Sequence, residues 1–222
     1  DLSAIRAYPN LSAGVKIVSP KASYRYGGAL TLPEKDYYAG QNAPEGVILD
    51  YFLPALADSE SVTLTILDAG GSEVRRYSSE KESGYLKYPG GPPPATILEK
   101  ESGHHRFVWN MRRGNVSPDV KGVFIYGDYR GHMVAPGKYR AVLKAGGHSD
   151  SCDIELKANP GIVAGADVWA EQQDLLDRIT ESISEMHRMV NDFRVVKKQL
   201  QAQADMLAER KVGDKVREEA LK

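Results

Sequence analysis

His148-Ser149-Asp150-Ser151-Cys152-Asp153-Ile154-Glu155-Leu156-Lys157-Ala158-Asn159-Pro160-Gly161 is the stretch on which the reading of the fold turns. Through Leu156 the apolar side chains fall on alternate positions, Cys152, Ile154 and Leu156, which is the period of a half-buried strand. Asn159-Pro160-Gly161 ends that pattern, and from Asp167 to Lys211 there is neither proline nor glycine. Over this second stretch Trp169, Gln172, Leu176, Ile179, Ile183, Met186, Val190, Phe193, Lys197, Leu200, Ala204 and Leu207 recur at alternating steps of three and four. That is the spacing of a helical seam, with only Gln172 and Lys197 polar in it. Acidic residues lead (Asp167, Glu171, Asp174, Asp177) and basic ones follow (Arg194, Lys197, Lys198, Arg210, Lys211), in the sense of the helix dipole.

Upstream of the break the chain reads as a succession of short strands. Val47 to Leu53 is a continuous apolar and aromatic run closed by Pro54, and Val62, Leu64 and Ile66 alternate with Thr63 and Thr65. Asp68-Ala69-Gly70-Gly71-Ser72 is a turn signal from which Glu73 to Ser78 returns as a hairpin partner. His104 to Met111, Gly122 to Tyr129 and Lys138 to Ala145 read as further strands, and Gly146-Gly147 turns the chain into the last one. Tyr88-Pro89-Gly90-Gly91-Pro92-Pro93-Pro94 is barred from a central strand by its missing donors and is expected on the surface. Val15-Lys16-Ile17-Val18 is the one strand candidate before residue 40. About seven short strands at this spacing predict an immunoglobulin or fibronectin-III-like β-sandwich, mainly β with an α appendage.

The expected organisation is an irregular N-terminal extension over 1–45, packed on a sandwich over 46–160, and a long amphipathic helix within 165–222. At about 1.5 Å per residue the helix is far longer than one small sandwich can cover, so its apolar stripe is expected to meet another helix. Val212-Gly213-Asp214 reads as a helix stop and new N-cap before Lys215 to Lys222. The arm is therefore expected to be a helical hairpin whose returning helix is truncated, with a homodimeric coiled coil as its competitor. The contact stripe assigned to a partner comprises Trp169, Leu176, Ile179, Ile183, Met186, Val190, Phe193 and Leu200.

Composition narrows the function classes. Twenty-nine Lys and Arg against thirty Asp and Glu give no overall basic field for nucleic acid or anionic lipid. No apolar run reaches the length of a membrane span. Asp1 to Arg6 lacks an initiator Met and the layout of a signal peptide, and reads as cut from a longer chain. The lone Cys152 is expected to be a buried structural thiol. His104 and His105 are adjacent on a strand and point to opposite faces, so they do not chelate one metal together. Gly-x-Ser-x-Gly, P-loop and dinucleotide fingerprints do not occur. No catalytic, metal or cofactor residues are assigned, and the chain is read as non-enzymatic. Twelve Tyr against four Phe suggest a second possibility. Tyr24, Tyr26, Tyr37, Tyr38, Tyr85 and Tyr88 fall in loops, where they could stack on a glycan or a protein ligand.

Gly103-His104-His105-Arg106-Phe107-Val108-Trp109-Asn110, followed by Gly131 to Val142 with its Pro136-Gly137-Lys138-Tyr139, resembles the immunoglobulin-like domain of flagellar hook-capping proteins and of many bacterial secreted proteins. Tyr139 there holds the place of a tyrosine-corner hydroxyl. Asp1 to Arg6, Val18 to Arg25 and Gly40 to Tyr51 are similar to the C-terminal region of bacterial sortilin-like or sialidase-like β-propeller proteins, often labelled glycosyl hydrolases. The resemblance implies an upstream propeller, then this sandwich, then a helical pair, in an exported bacterial protein. The Ser-x-Asp-x-Gly-x-Thr-Trp boxes of the propeller are missing from this sequence, so any catalytic residues are expected before Asp1. The implied role is a structural and interaction module that docks on the propeller and self-associates or binds protein; the alternative is a carbohydrate-binding accessory module.

Overall fold

A computed structural model describes residues 14–26, 44–83, 85–116, 119–123 and 129–209, with the single positions 6 and 219. Among them are eight strands and one long helix: β1 (Lys16–Ile17), β2 (Ser23–Arg25), β3 (Val47–Leu53), β4 (Val62–Leu67), β5 (Glu73–Ser78), β6 (Gly103–Trp109), β7 (Gly137–Ala145), β8 (His148–Ala158) and α1 (Ala166–Glu209). The strands form two sheets, ordered β1-β3-β6 and β2-β8-β7-β4-β5. Every pairing is antiparallel except β2 on β8, which makes the larger sheet mixed.

Alternation decides which side of each strand is buried. Val62, Leu64 and Ile66 of β4 are inaccessible, while Thr63 and Thr65 are half-exposed. Ala141 and Leu143 of β7 and Cys152, Ile154 and Leu156 of β8 meet them from the same sheet. Val47, Leu49, Tyr51, Phe107 and Trp109 come from the other, so the two inner faces share one core. Each large side chain so buried contributes about 1.5–3 kcal/mol. In β5 the buried residues are Val74 and Tyr77, three apart rather than two. The register shift at Ile66 and Leu67 accounts for this, because an extra residue on β5 opposes one step of β4 and turns the following side chains over.

Local geometry at the strand ends fixes the frame. Gly46 enters β3 with φ +137°, and a Cβ there would collide with the Trp109 carbonyl across the ladder, so only glycine fits. The Tyr139 hydroxyl donates to the Ala135 carbonyl at 2.7 Å, tying the start of β7 to the turn before it, and its ring meets Trp109 edge-on with centroids 5.4 Å apart. β1 and β2 lie in the segment expected to be irregular, and each extends one of the sheets. The strand expected over Gly122 to Tyr129 falls mostly outside the described residues, as do the second helix from Lys215 and the loop tyrosines Tyr37 and Tyr38. Gly122 and Val123 are in or beside a turn, and Tyr129 is not in a strand.

α1 is 44 residues, or about 66 Å at the standard rise. Among the described residues no helix is long and apolar enough to cross a membrane. Cys152 is buried in the core, and desolvation pushes its thiol up to about 12.

Candidate interaction surface

Two faces of α1 differ in chemistry. The first lies on the sandwich and is built from polar side chains at steps of three and four. At its N-terminal end the Arg25 guanidinium stands 4.7 Å above the Trp169 ring and reaches Gln172 Oε1 at 3.5 Å. Gln173 Nε2 donates to the Met133 carbonyl at 3.1 Å. Further along, Asn191 Nδ2 donates to the Asp119 carbonyl at 3.0 Å and Arg194 Nη1 to the Lys121 carbonyl at 2.6 Å. Between them Ser184 and His187 are each 7% exposed, and the Tyr129 ring lies beside the imidazole. Small side chains at Thr180 and Ser184 let this part of the helix lie against His132 and Tyr129.

The centre of this face is ionic. Asp177 Oδ1 sits 3.2 Å from Arg113 Nε and 3.3 Å from His132 Nε2, with the Thr180 hydroxyl 3.4 Å from His132 Nδ1. Neither Arg113 Nε nor His132 Nε2 is aimed well enough to count as hydrogen-bonded, so Arg113 holds Asp177 mainly by coulombic attraction and His132 adds to it only when protonated. Burial holds His132 below the ordinary histidine range; Arg113 and Arg112 act in the same direction, and Asp177 and Gln173 oppose it. Met111 has the left-handed φ of 57° that swings Arg112 and Arg113 round beside His132 and Met133, where the Val134 amide donates to the Met111 carbonyl.

The second face is apolar and open from Val168 to Leu200, beyond which Ala204, next on the same lane, is buried. At about 100° per residue it lies nearly half a turn round the helix from the first. Phe193 is 73% exposed, Leu175 54% and Met186 53%, and Ile179, Met189 and Leu200 are about half exposed. Of the stripe expected from sequence, Ile179, Met186, Val190, Phe193 and Leu200 are on the exposed side, whereas Trp169, Leu176 and Ile183 are half-buried toward the sandwich. Sequence reasoning missed Gln173, Asp177, Thr180, His187 and Asn191, which look like solvated helix positions. The one available signal was a lane of short polar side chains at the same three-four spacing.

The loop tyrosines do not converge on one site. Tyr24 and Tyr26 pair on and just beyond the edge strand β2 with centroids 5.9 Å apart, exposed by 43% and 49%. Tyr85 lines a cavity of about 460 Å³ with Arg75, Arg76, Pro92 and Asn115, its hydroxyl donating to the Pro92 carbonyl. Tyr88 bonds Asp119 Oδ2 at 3.1 Å, which fastens the proline-rich loop to the 119–121 turn. His104 and His105 find different partners on opposite faces of β6, His104 with Asp50 Oδ1 at 2.8 Å and His105 with the Glu101 carbonyl at 2.7 Å. Among the described residues no three His, Cys, Asp or Glu side chains are grouped to hold a metal ion. No protein-family model matches the chain, and no curated protein matches it.

Proposed function

We propose that this chain is a non-catalytic structural and interaction module of a larger exported protein, its two sheets an immunoglobulin or fibronectin-III-like sandwich and α1 its contact arm. The observation that carries this reading is the exposed apolar face of α1. A row of large apolar side chains running most of the length of a helix is a surface made to be covered. The Tyr139 to Ala135 bond beside Pro136-Gly137 supports the immunoglobulin-like identity. Two charged clusters hold elements together: Arg106 and His104 clamp Asp50 across β3 and β6 and, against its burial, hold its carboxyl below the usual range, and Arg113 of the sandwich fastens Asp177 of the helix. The resemblance noted above supplies the context, an upstream β-propeller on which the sandwich docks.

The test is whether protein covers the seam. Phe193→Cys carrying a polarity-sensitive fluorophore shifts to the blue as the chain is concentrated or as the preceding part of its parent protein is added. An unchanged spectrum under both conditions overturns the reading.

A carbohydrate-binding accessory role is the second reading, favoured by the exposed Tyr24 and Tyr26 rings. Titration with oligosaccharides that gives binding lost in Tyr24→Ala and Tyr26→Ala would support it; no heat and no shift would dismiss it.

A further inference from the structure

We propose that the apolar face of α1 is covered by a second copy of this chain, lying antiparallel with the twofold axis at the level of Ser184. The inference rests on the proposed reading of the seam as a protein contact and names its occupant. Three observations carry it.

The first is the internal symmetry of the exposed seam. From Val168 to Leu200 it advances by four and three, and of the five pairs equidistant from 184 three are large and apolar on both sides, while Gln172 faces Val196 and Ser182 faces Met186. Reversing the helix on itself sets Leu175 opposite Phe193, Ile179 opposite Met189 and Ser182 opposite Met186, all exposed. A small residue facing a long one at the centre suits knobs-into-holes packing, and a surface that complements itself on reversal is what an isologous dimer requires.

The second is charge. Asp177 and Arg194 are engaged on the docked face, and at heptad spacing the charges beside the seam are Glu171, Arg178, Glu185 and Asp192 on one flank and Lys197 on the other. An antiparallel pair sets the same flank of each copy together, so Arg178 and Asp192 on that flank decide the match. The antiparallel register also brings Arg178 of one copy alongside Asp192 of the other on the outer flank.

The third is the separation of the two faces. The groups that bind α1 to the sandwich, from Trp169 to Arg194, occupy the other side of the helix. A partner helix therefore fits the seam without displacing the dock, and the seam spans about 48 Å.

The experiment combines mass and orientation. Sedimentation of the full chain is expected to show a dimer of the 24.4 kDa protomer, and Phe193→Asp to weaken association roughly a hundredfold, since two copies of the side chain are lost from one interface. The far-ultraviolet spectrum of that variant stays unchanged, because the side chain is exposed in the protomer. Under mild oxidation, an equimolar mixture of Leu175→Cys and differently tagged Phe193→Cys gives a disulfide between the two species, and neither variant alone gives one. Disulfides in each variant alone, without the mixed species, mean a parallel dimer and overturn the proposal while leaving the seam a contact. A monomer at all concentrations, whose Phe193→Cys fluorophore nonetheless shifts when the parent protein is added, also overturns the second copy and leaves the proposed function standing. Failure of both measurements removes both.

Discussion

Asp177 of the helix and His132 of the sandwich meet with Oδ1 3.3 Å from Nε2, and Arg113 Nε approaches the same oxygen at 3.2 Å. The pair joins two segments 45 positions apart in the chain and sits one turn beyond the Gln173 hydrogen bond at the N-terminal end of the docked face. His132 is the most enclosed member, its side chain 10% exposed. The charge state of this imidazole therefore bears on how firmly the helix is seated.

The pH dependence follows in sign from the burial of His132. Desolvation, with Arg113 and Arg112 nearby, holds its folded pKa below 6.5, while Asp177 and Gln173 only partly offset this. The unfolded chain thus takes up the proton at a higher pH than the folded one. The contribution is fully present above about pH 6.5 and is lost as pH falls toward the folded value. Thermal melts at about pH 7.5 and 5.5 are expected to show lower stability at the acid value, with a smaller difference in His132→Gln. An equal slope in the variant would assign the dependence to other groups. Asp177→Asn leaves Arg113 without its counter-charge and is expected to cost about 0.5–1 kcal/mol, a small figure because both partners are partly exposed.

Tyr139→Phe isolates the hydroxyl that ties β7 to the turn before it. The ring keeps its edge contact with Trp109, so only the 2.7 Å bond to the Ala135 carbonyl is lost. The expected loss is about 1 kcal/mol, or roughly 2–4 °C for a chain of this size. Denaturant unfolding with an unchanged m-value checks that the fold is intact. A variant as stable as the parent would mean that the hydroxyl is equally well satisfied by water.

Cys152 is expected to be silent in the native state. It is buried between β7 and β8 neighbours, and its thiol, pushed up to about 12 by desolvation and by Asp150 and Asp153, is almost wholly protonated at about pH 8. An aromatic disulfide reagent should react with less than a stoichiometric thiol in the native chain and with one per chain in denaturant. Rapid native labelling would show that β8 opens locally. The same silence lets cysteines introduced on the helix be labelled selectively.

The strands were legible where one face is buried and the other is not. Val62 to Leu67 and His148 to Ala158 carry that alternation in their own residues, so their spans follow from the sequence to within a residue or two. β2 was not legible, because Ser23-Tyr24-Arg25 has no apolar face and owes its extended form to parallel pairing with Leu156, Lys157 and Ala158. The helix was legible from its uninterrupted three-four spacing and its freedom from proline and glycine. Its orientation on the sandwich was not. Two apolar lanes run one residue apart, Trp169-Leu176-Ile183 and Val168-Leu175, and the choice between them is made by Gln173, Asp177 and Asn191, whose partners are loop groups forty or more positions upstream.

Ser184 tests whether close approach, rather than any one polar contact, seats the helix. It is buried against the sandwich, its hydroxyl turned back to the Thr180 carbonyl at 2.8 Å, so it makes room there and spends its donor within the helix. Arginine at this position is far larger than the serine that is buried there, and Asp177, two turns away, is already shared by Arg113 and His132. Ser184→Arg is expected to lift the middle of α1 from the 111–134 loops while the two sheets, whose core contains no helix residue, keep their packing. Hydrogen exchange should then rise for the amides from Gln173 to Arg194 by tenfold or more, a shift of about 1.4 kcal/mol in local opening, with amides in β4, β7 and β8 unchanged. Ser184→Ala, which keeps the small volume, should exchange like the parent. If both variants loosen the helix equally, the hydroxyl and not the available space is what matters; if neither does, the ion pairs and the end contacts hold α1 without close packing at its centre.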